Sequence, residues 1–168
     1  MAITQQLAMV TQSELDLCKT SETALNTLIW FKFTANRYLD LNWAPVGLQI
    51  CFEQSGQTLS AQKAFDWSLN GTKVVNPECP EGPPSDTVYS QITFLEIDQV
   101  QLVAKNLQEV VADTLFAWIP KDLAEANAVL RTDLTVHPKI YYPQMFHQLR
   151  QFYQTAAQNN MATVMWWD

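Results

Sequence analysis

The chain predicts an α+β fold with a helical majority, in which one small sheet holds both the first and the last strand. Three observations carry this. Met145, Phe146, Leu149, Phe152, Tyr153, Ala156 and Ala157 recur at three- and four-residue spacing, which marks a helix with one buried face. Asn159 and Asn160 interrupt that pattern, and Met161–Trp167 follows with strand propensity; two adjacent tryptophans need burial in a paired strand. At the other end, Ile3–Val10 sets Ile3, Leu7 and Met9 against Thr4 and Gln6 and reads as the opening strand.

The elements between follow in order. Thr11-Gln12-Ser13-Glu14 has the form of a capping box, starting a short helix through Cys18. Ser21 caps a second helix that buries Leu25, Leu28 and Ile29. Asn42 is the predicted N-cap of Trp43–Gln54, with Pro45 in the first turn, Val46, Ile50 and Cys51 inward, and Gly56 as the stop. Ala61–Leu69 reads as helical, and Asn70-Gly71 either ends it or turns a hairpin into Thr72–Val75. Four prolines and a glycine between Asn76 and Pro84 predict an irregular loop. Val88–Ile97 is β-prone, and Asp98 opens a helix with Val100, Val103, Leu107, Val110 and Val111 on one face. Pro120 leads into Lys121–Leu130, while Pro138 and Pro143 bracket a predicted extended segment before the final helix. No internal repeat or long linker divides the chain, so 1–168 reads as a single domain.

Composition narrows the function classes. Apolar residues make up 48% of the 168 positions, enough for a substantial core, while the charged fraction of 16% leaves neutral Gln and Asn to cover much of the surface. The net charge is −7, and the few Lys and Arg are scattered from Lys19 to Arg150, which argues against nucleic acid and anionic membranes as partners. The opening residues lack the basic and apolar regions of a signal peptide, and no apolar run approaches a membrane span. Cys18, Cys51 and Cys79 are odd in number and widely spaced; reduced thiols and a cytoplasmic location are the expectation.

Three segments resemble the YfbM-like family of bacterial proteins, a domain family of unknown function. Tyr38-Leu39-Asp40-Leu41-Asn42 leading into Gly47-Leu48-Gln49-Ile50 is similar to the family's L-D-L-D motif and the G-L-H that follows it. Gly82-Pro83-Pro84 before the helix near Asp98 is the second, and Leu149–Ala157 before the final strand is the third. Order and spacing match over nearly the whole chain. Pro45 stands in place of the family's tryptophan, Trp43 of a typical lysine, Gln49 of a common histidine, Asn42 of the second aspartate, and His137-Pro138 of a frequent Tyr-Pro. The resemblance implies a fold and carries no activity.

Candidate chemistry is sparse. His137 and His147 are the only histidines and lack metal-motif spacing, so no metal is expected. With four glycines and no phosphate-binding motif, no cofactor is expected either. None of the three cysteines has an activating neighbour. Arg37 beside Asp40 is the charged pair of most interest, as an anion clamp next to a general base or, more simply, as a cap to a turn. Trp30, Phe31, Phe33, Tyr38 and Trp43 crowd this motif, and His137, Tyr141, Tyr142 and Phe146 form a later group; such rings fill cores or frame a cleft. The expectation is a binding or interaction protein that neutralises a basic protein partner. The alternatives are a small-molecule enzyme using Asp40 and Arg37 with His137 or Tyr141, and a homo-oligomeric module.

Overall fold

The structure, a computed structural model, describes residues 4–75 and 91–168. One antiparallel sheet has the order β2-β1-β5-β4-β3, formed by β1 (Gln5–Val10), β2 (Tyr38–Asp40), β3 (Lys73–Val74), β4 (Thr93–Leu95) and β5 (Ala162–Trp167). The helices among the described residues are α1 (Gln12–Thr20), α2 (Glu22–Ile29), α3 (Ala44–Gln54), α4 (Leu59–Asn70), α5 (Ile97–Glu109), α6 (Ala112–Phe116), α7 (Leu123–Leu130) and α8 (Pro138–Gln158). The fold is α+β, as predicted, and the first and last strands lie side by side from Gln5 opposite Trp167 to Val10 opposite Ala162.

Side chains alternate along a strand, and here both faces are covered. Leu7, Met9 and Met165 enter a large core with α3 to α8; Ala8, Val10, Val164 and Trp166 enter a smaller one with α1 and α2. The polar positions of β1 therefore do not face water. Gln5 and Gln6 are buried, and the Gln5 amide donates to the Leu69 carbonyl. Burial on both faces, rather than one, is what the alternating pattern did not convey.

The caps follow the local sequence. Glu14 N–H donates to Thr11 Oγ1 at 3.3 Å and Thr11 N–H to Glu14 Oε2 at 2.7 Å, completing the box at α1; Ser21 Oγ accepts from Ala24 N–H at α2. Gly71 ends α4 at φ +63 and also has Phe94 N and Thr93 2.9 Å from where a Cβ would stand, so β3 leaves the helix through a position that only glycine fits.

Several expectations need correction. Pro138 and Pro143 do not bracket an extended segment: α8 begins at Pro138, whose missing N–H is harmless in the first turn, and Pro143 lies within the helix. Asn42 is not an N-cap. It sits left-handed at φ +50 in the turn before α3, and Trp43 occupies the cap position. Val46 points outward because Gly47, Leu48, Cys51 and Phe52 form the buried stripe. Val111 is exposed as well, since α5 ends before Val110. α7 starts at Leu123, where Asp122 accepts from Glu125 N–H at 2.9 Å, two residues later than Pro120 suggested. The expected loop at Asn76–Pro84, Cys79, the Gly82-Pro83-Pro84 segment and the start of Val88–Ile97 lie outside the described residues; β4 and the first residue of α5 occupy the rest of that β-prone run.

Candidate functional site

The family-like motif forms the open edge of the sheet. A single turn of 3₁₀ helix, Ala35–Arg37, delivers the chain into β2, which pairs Leu39 with Leu7 and Asp40 with Gln6. Asp40 Oδ1 then accepts from Asn42 N–H at 2.6 Å, an Asx turn that reverses the chain into α3. Asp40 thus caps a turn, as the simpler reading had it.

Arg37 does not pair with Asp40. Its guanidinium forks onto Glu14, with Nη1 2.9 Å from Oε1 and Nη2 on Oε2, while Nε donates to the Met9 carbonyl at 2.8 Å. It also stacks on Phe33 at 4.5 Å from the ring centre. The bond from Arg37 holds the Glu14 carboxyl down at about 2. Arg37 lies three residues before Asp40, at the end of the 3₁₀ turn rather than on β2, and that turn leads its guanidinium elsewhere, a geometry invisible in the residue types.

Above β2 and the ends of β1 and β5 lies a groove of about 550 Å³ on the α1/α2 face, lined by Thr4, Gln6, Phe31, Phe33, Ala35, Tyr38, Asp40 and Asp168. Among the described residues, its two charged lining residues are both carboxylates. Asp168 Oδ1 accepts from Thr4 Oγ1 at 3.0 Å and from Gln6 Nε2 at 3.3 Å, which fixes that carboxylate against the strand ends. The apolar wall is a connected set of rings: Phe31 is 5.1 Å from Tyr38 and 5.8 Å from the buried Trp166, and Phe33 is 6.3 Å from Tyr38. Tyr38 Oη donates to the Leu28 carbonyl and accepts from Phe33 N–H, so its phenol is anchored, and burial pushes its pKa up. Two other hollows, of about 220 and 260 Å³, are each less than half this size.

Phe31 has an unusual backbone. Phe31 N–H donates to the Leu28 carbonyl and Lys32 N–H to the Thr27 carbonyl, the two bonds of a Schellman cap that ends α2. The residue at the centre of that cap is left-handed, and here it is phenylalanine at φ +56 where glycine or asparagine is the usual choice. α8 ends in the same way with Asn160 at φ +50. A bulky ring in this position costs about 1 kcal/mol of backbone strain. It leaves Phe31 44% exposed at the groove.

Of the other sequence-predicted residues, His137 is the N-cap of α8. Its Nδ1 accepts from Lys139 N–H at 3.1 Å, so the Nε2 proton is donated to the Lys121 carbonyl at 2.8 Å. His147 is exposed nearly halfway along the same helix, about 15 Å away at the helical rise of 1.5 Å per residue, too far to share a metal. Among the described residues no group of three or more His, Cys, Asp or Glu is placed to hold a metal ion. Tyr141 is nearer the motif. Its hydroxyl is buried without a hydrogen-bond partner, and burial and then the charge of Asp40 raise its pKa. The structure therefore brings Asp40 and Tyr141 within electrostatic reach and commits Arg37 and His137 to other partners. Cys18 and Cys51 are buried thiols pushed up to about 11 and 12 by desolvation. Gln6 and Asp168, at opposite ends of the sequence, gave no sequence signal; strand pairing alone unites them.

The class defined by this architecture is an antiparallel five-stranded sheet between a thin helical layer and a thick one, with a groove at its β2 edge. No protein-family model matches the chain, and no curated protein matches it. Among solved structures it is similar to YfbM from Escherichia coli, a protein of unknown function, with a TM-score of 0.58 and 12% sequence identity over 98% of this chain and 99% of that one. The fold is YfbM-like, as the sequence resemblance implied. No described helix is long and apolar enough to cross a membrane.

Proposed function

We propose that the protein is a cytoplasmic binding module that captures a basic protein partner through the groove at the β2 edge. The observation that carries this is a half-apolar groove of about 550 Å³ whose charged lining, among the described residues, is two carboxylates. The chain's net charge of −7 favours the same partner at a distance, by steering it toward the surface before contact. The test is affinity capture from native lysate at low and high salt with the wild type and an Asp40→Asn/Asp168→Asn double variant. A stoichiometric basic protein retained at low salt, released at high salt and missed by the variant is the expected result. Capture indifferent to both salt and variant overturns the reading.

A second reading is favoured by one observation, the buried, unpartnered Tyr141 hydroxyl near the Asp40 charge. On that reading Asp40 is a general base and Tyr141 a proton donor toward a small polar substrate, without Arg37 or His137. A thermal-shift screen of small metabolites in which no hit loses its effect in Tyr141→Phe removes it.

A further inference from the structure

The chemistry of the groove selects among cations. We propose that its occupant is an arginine side chain of the partner, lying on the ring wall of Phe31 and Tyr38 and paired with Asp40 and Asp168; this rests on the groove being the docking site. Three observations converge on it.

The first is charge complementarity. Among the described residues, the acidic or basic side chains lining the groove are the carboxylates of Asp40 and Asp168, and Asp168 is held in a set orientation by Thr4 and Gln6. A carboxylate fixed in advance loses little freedom when a cation arrives. The second is the wall. Ring faces attract cations, and Phe31 is kept half-exposed at the cost of a left-handed backbone that glycine would occupy without strain. The third is an internal precedent. Arg37 is stacked on Phe33 at 4.5 Å while forked onto Glu14, and the same Phe33 ring lines the groove. The fold already satisfies one guanidinium with an aromatic ring and a carboxylate, and the groove offers the same two components to a second.

Arginine fits better than lysine on physical grounds. A guanidinium is planar, weakly hydrated and able to stack on a ring while donating along its edge to carboxylates. An ammonium is compact and strongly hydrated, and gives up more water to enter a half-apolar groove. The volume exceeds one guanidinium group, leaving room for the aliphatic stem and flanking backbone.

The experiment uses the full chain and three blocked short peptides identical except at one position, which holds arginine, lysine or neutral citrulline. Binding is read by calorimetry and by amide chemical-shift mapping. The arginine peptide is expected to bind about tenfold tighter than the citrulline peptide and severalfold tighter than the lysine one, with shifts at Phe31, Tyr38 and Asp40. Asp40→Asn/Asp168→Asn keeps the Oδ1 acceptors for Asn42, Thr4 and Gln6 but removes the charge, so it should fold and lose about tenfold in affinity. Glu53→Gln, on α3 across the sheet, removes one charge remotely and should change affinity by less than about twofold. Equal binding of lysine or citrulline, shifts that map elsewhere, or no peptide binding overturns the inference. If lysate capture still depends on Asp40 and Asp168 in that case, the docking reading survives it; if the arginine peptide binds and no partner is captured, the site stands and the docking reading falls.

Discussion

The two faces of the sheet handle aromatic rings in opposite ways. On the thick face, Phe52 stacks on Phe65 at 4.1 Å with planes 10° apart and meets Phe146 edge-on at 5.7 Å, all three buried beneath several helices. On the thin face, Phe31 and Phe33 meet Tyr38 at 5.1 and 6.3 Å with tilted rather than stacked planes, and among the described residues α1 and α2 are the helices on that side, with the ring cluster reaching the groove at the β2 edge. The first arrangement maximises buried apolar area; the second leaves ring surface available. Among the described residues, the groove beside these two short helices is where the carboxylates of Asp40 and Asp168 lie. The larger buried core lies on one side of this sheet, and the proposed docking groove on the other.

The sharpest way to break that comparison is to cut a ring from the thick side. Phe52→Ala removes a buried aromatic from its stack and leaves a cavity, and is expected to destabilise by about 4 kcal/mol, read as a shift in the urea midpoint. A loss below about 1 kcal/mol would show that the thick core re-packs freely and would undo the asymmetry.

The next effect tests how closely the thick layer is packed. A Cβ on Gly47 would stand 2.1 Å from Tyr142 Oη and 2.2 Å from its ring, and Tyr142, on α8, is only 2% exposed with nowhere to retreat. Gly47→Ala should therefore cost about 2–3 kcal/mol despite its higher helix propensity. If thermal melts show stabilisation instead, α3 and α8 are not locked together.

Gly47 also shows what was legible in the sequence. Its place in the Gly47-Leu48 motif was plain, but the reason for a glycine, an α8 tyrosine from a hundred residues away, was not. Amphipathic spacing in α8, the capping box at Thr11, the Ser21 cap and the bulky Met161–Trp167 run announced their elements because each signal is local. The strand β2 was missed because three residues carry no period. The helical start at Pro138 was missed because two prolines in six residues read as extended chain, while tertiary packing of Tyr142, Met145 and Phe146 sustains the helix through Pro143. Of the groove, Phe31, Phe33, Tyr38 and Asp40 were singled out from their crowding around the motif. Gln6 and Asp168 were not, because sequence gives strands without register.

A smaller effect is expected at the clamp that ties α1 to the turn before β2. Glu14→Gln keeps an acceptor for the Thr11 cap and removes the charge facing Arg37, costing about 1 kcal/mol at this partly solvated site. The carboxyl is held at about 2, below the 4.5 of an unperturbed glutamate. Its contribution is thus complete above pH 4.5 and fades as the pH falls toward 2. The difference between wild type and variant should shrink across that window in denaturant titrations. A gap that persists at the acid end would mean that the fork onto Arg37 is not its source.

The smallest stability effect belongs to the thin face, and it separates the two roles most cleanly. Phe31→Asn replaces a strained left-handed phenylalanine by the residue that Asn160 already places in the matching cap of α8. Relief of about 1 kcal/mol of strain offsets a similar loss from half-burying the ring against Tyr38 and Trp166, so the melting temperature should barely move. Affinity for the arginine peptide should nevertheless drop about fivefold, because the cation loses a ring face. Stability unchanged with binding reduced would place Phe31 among residues retained for recognition at a structural cost. A large loss of stability would instead make the ring a structural roof over Trp166, and the division of labour between the two faces would have to be redrawn.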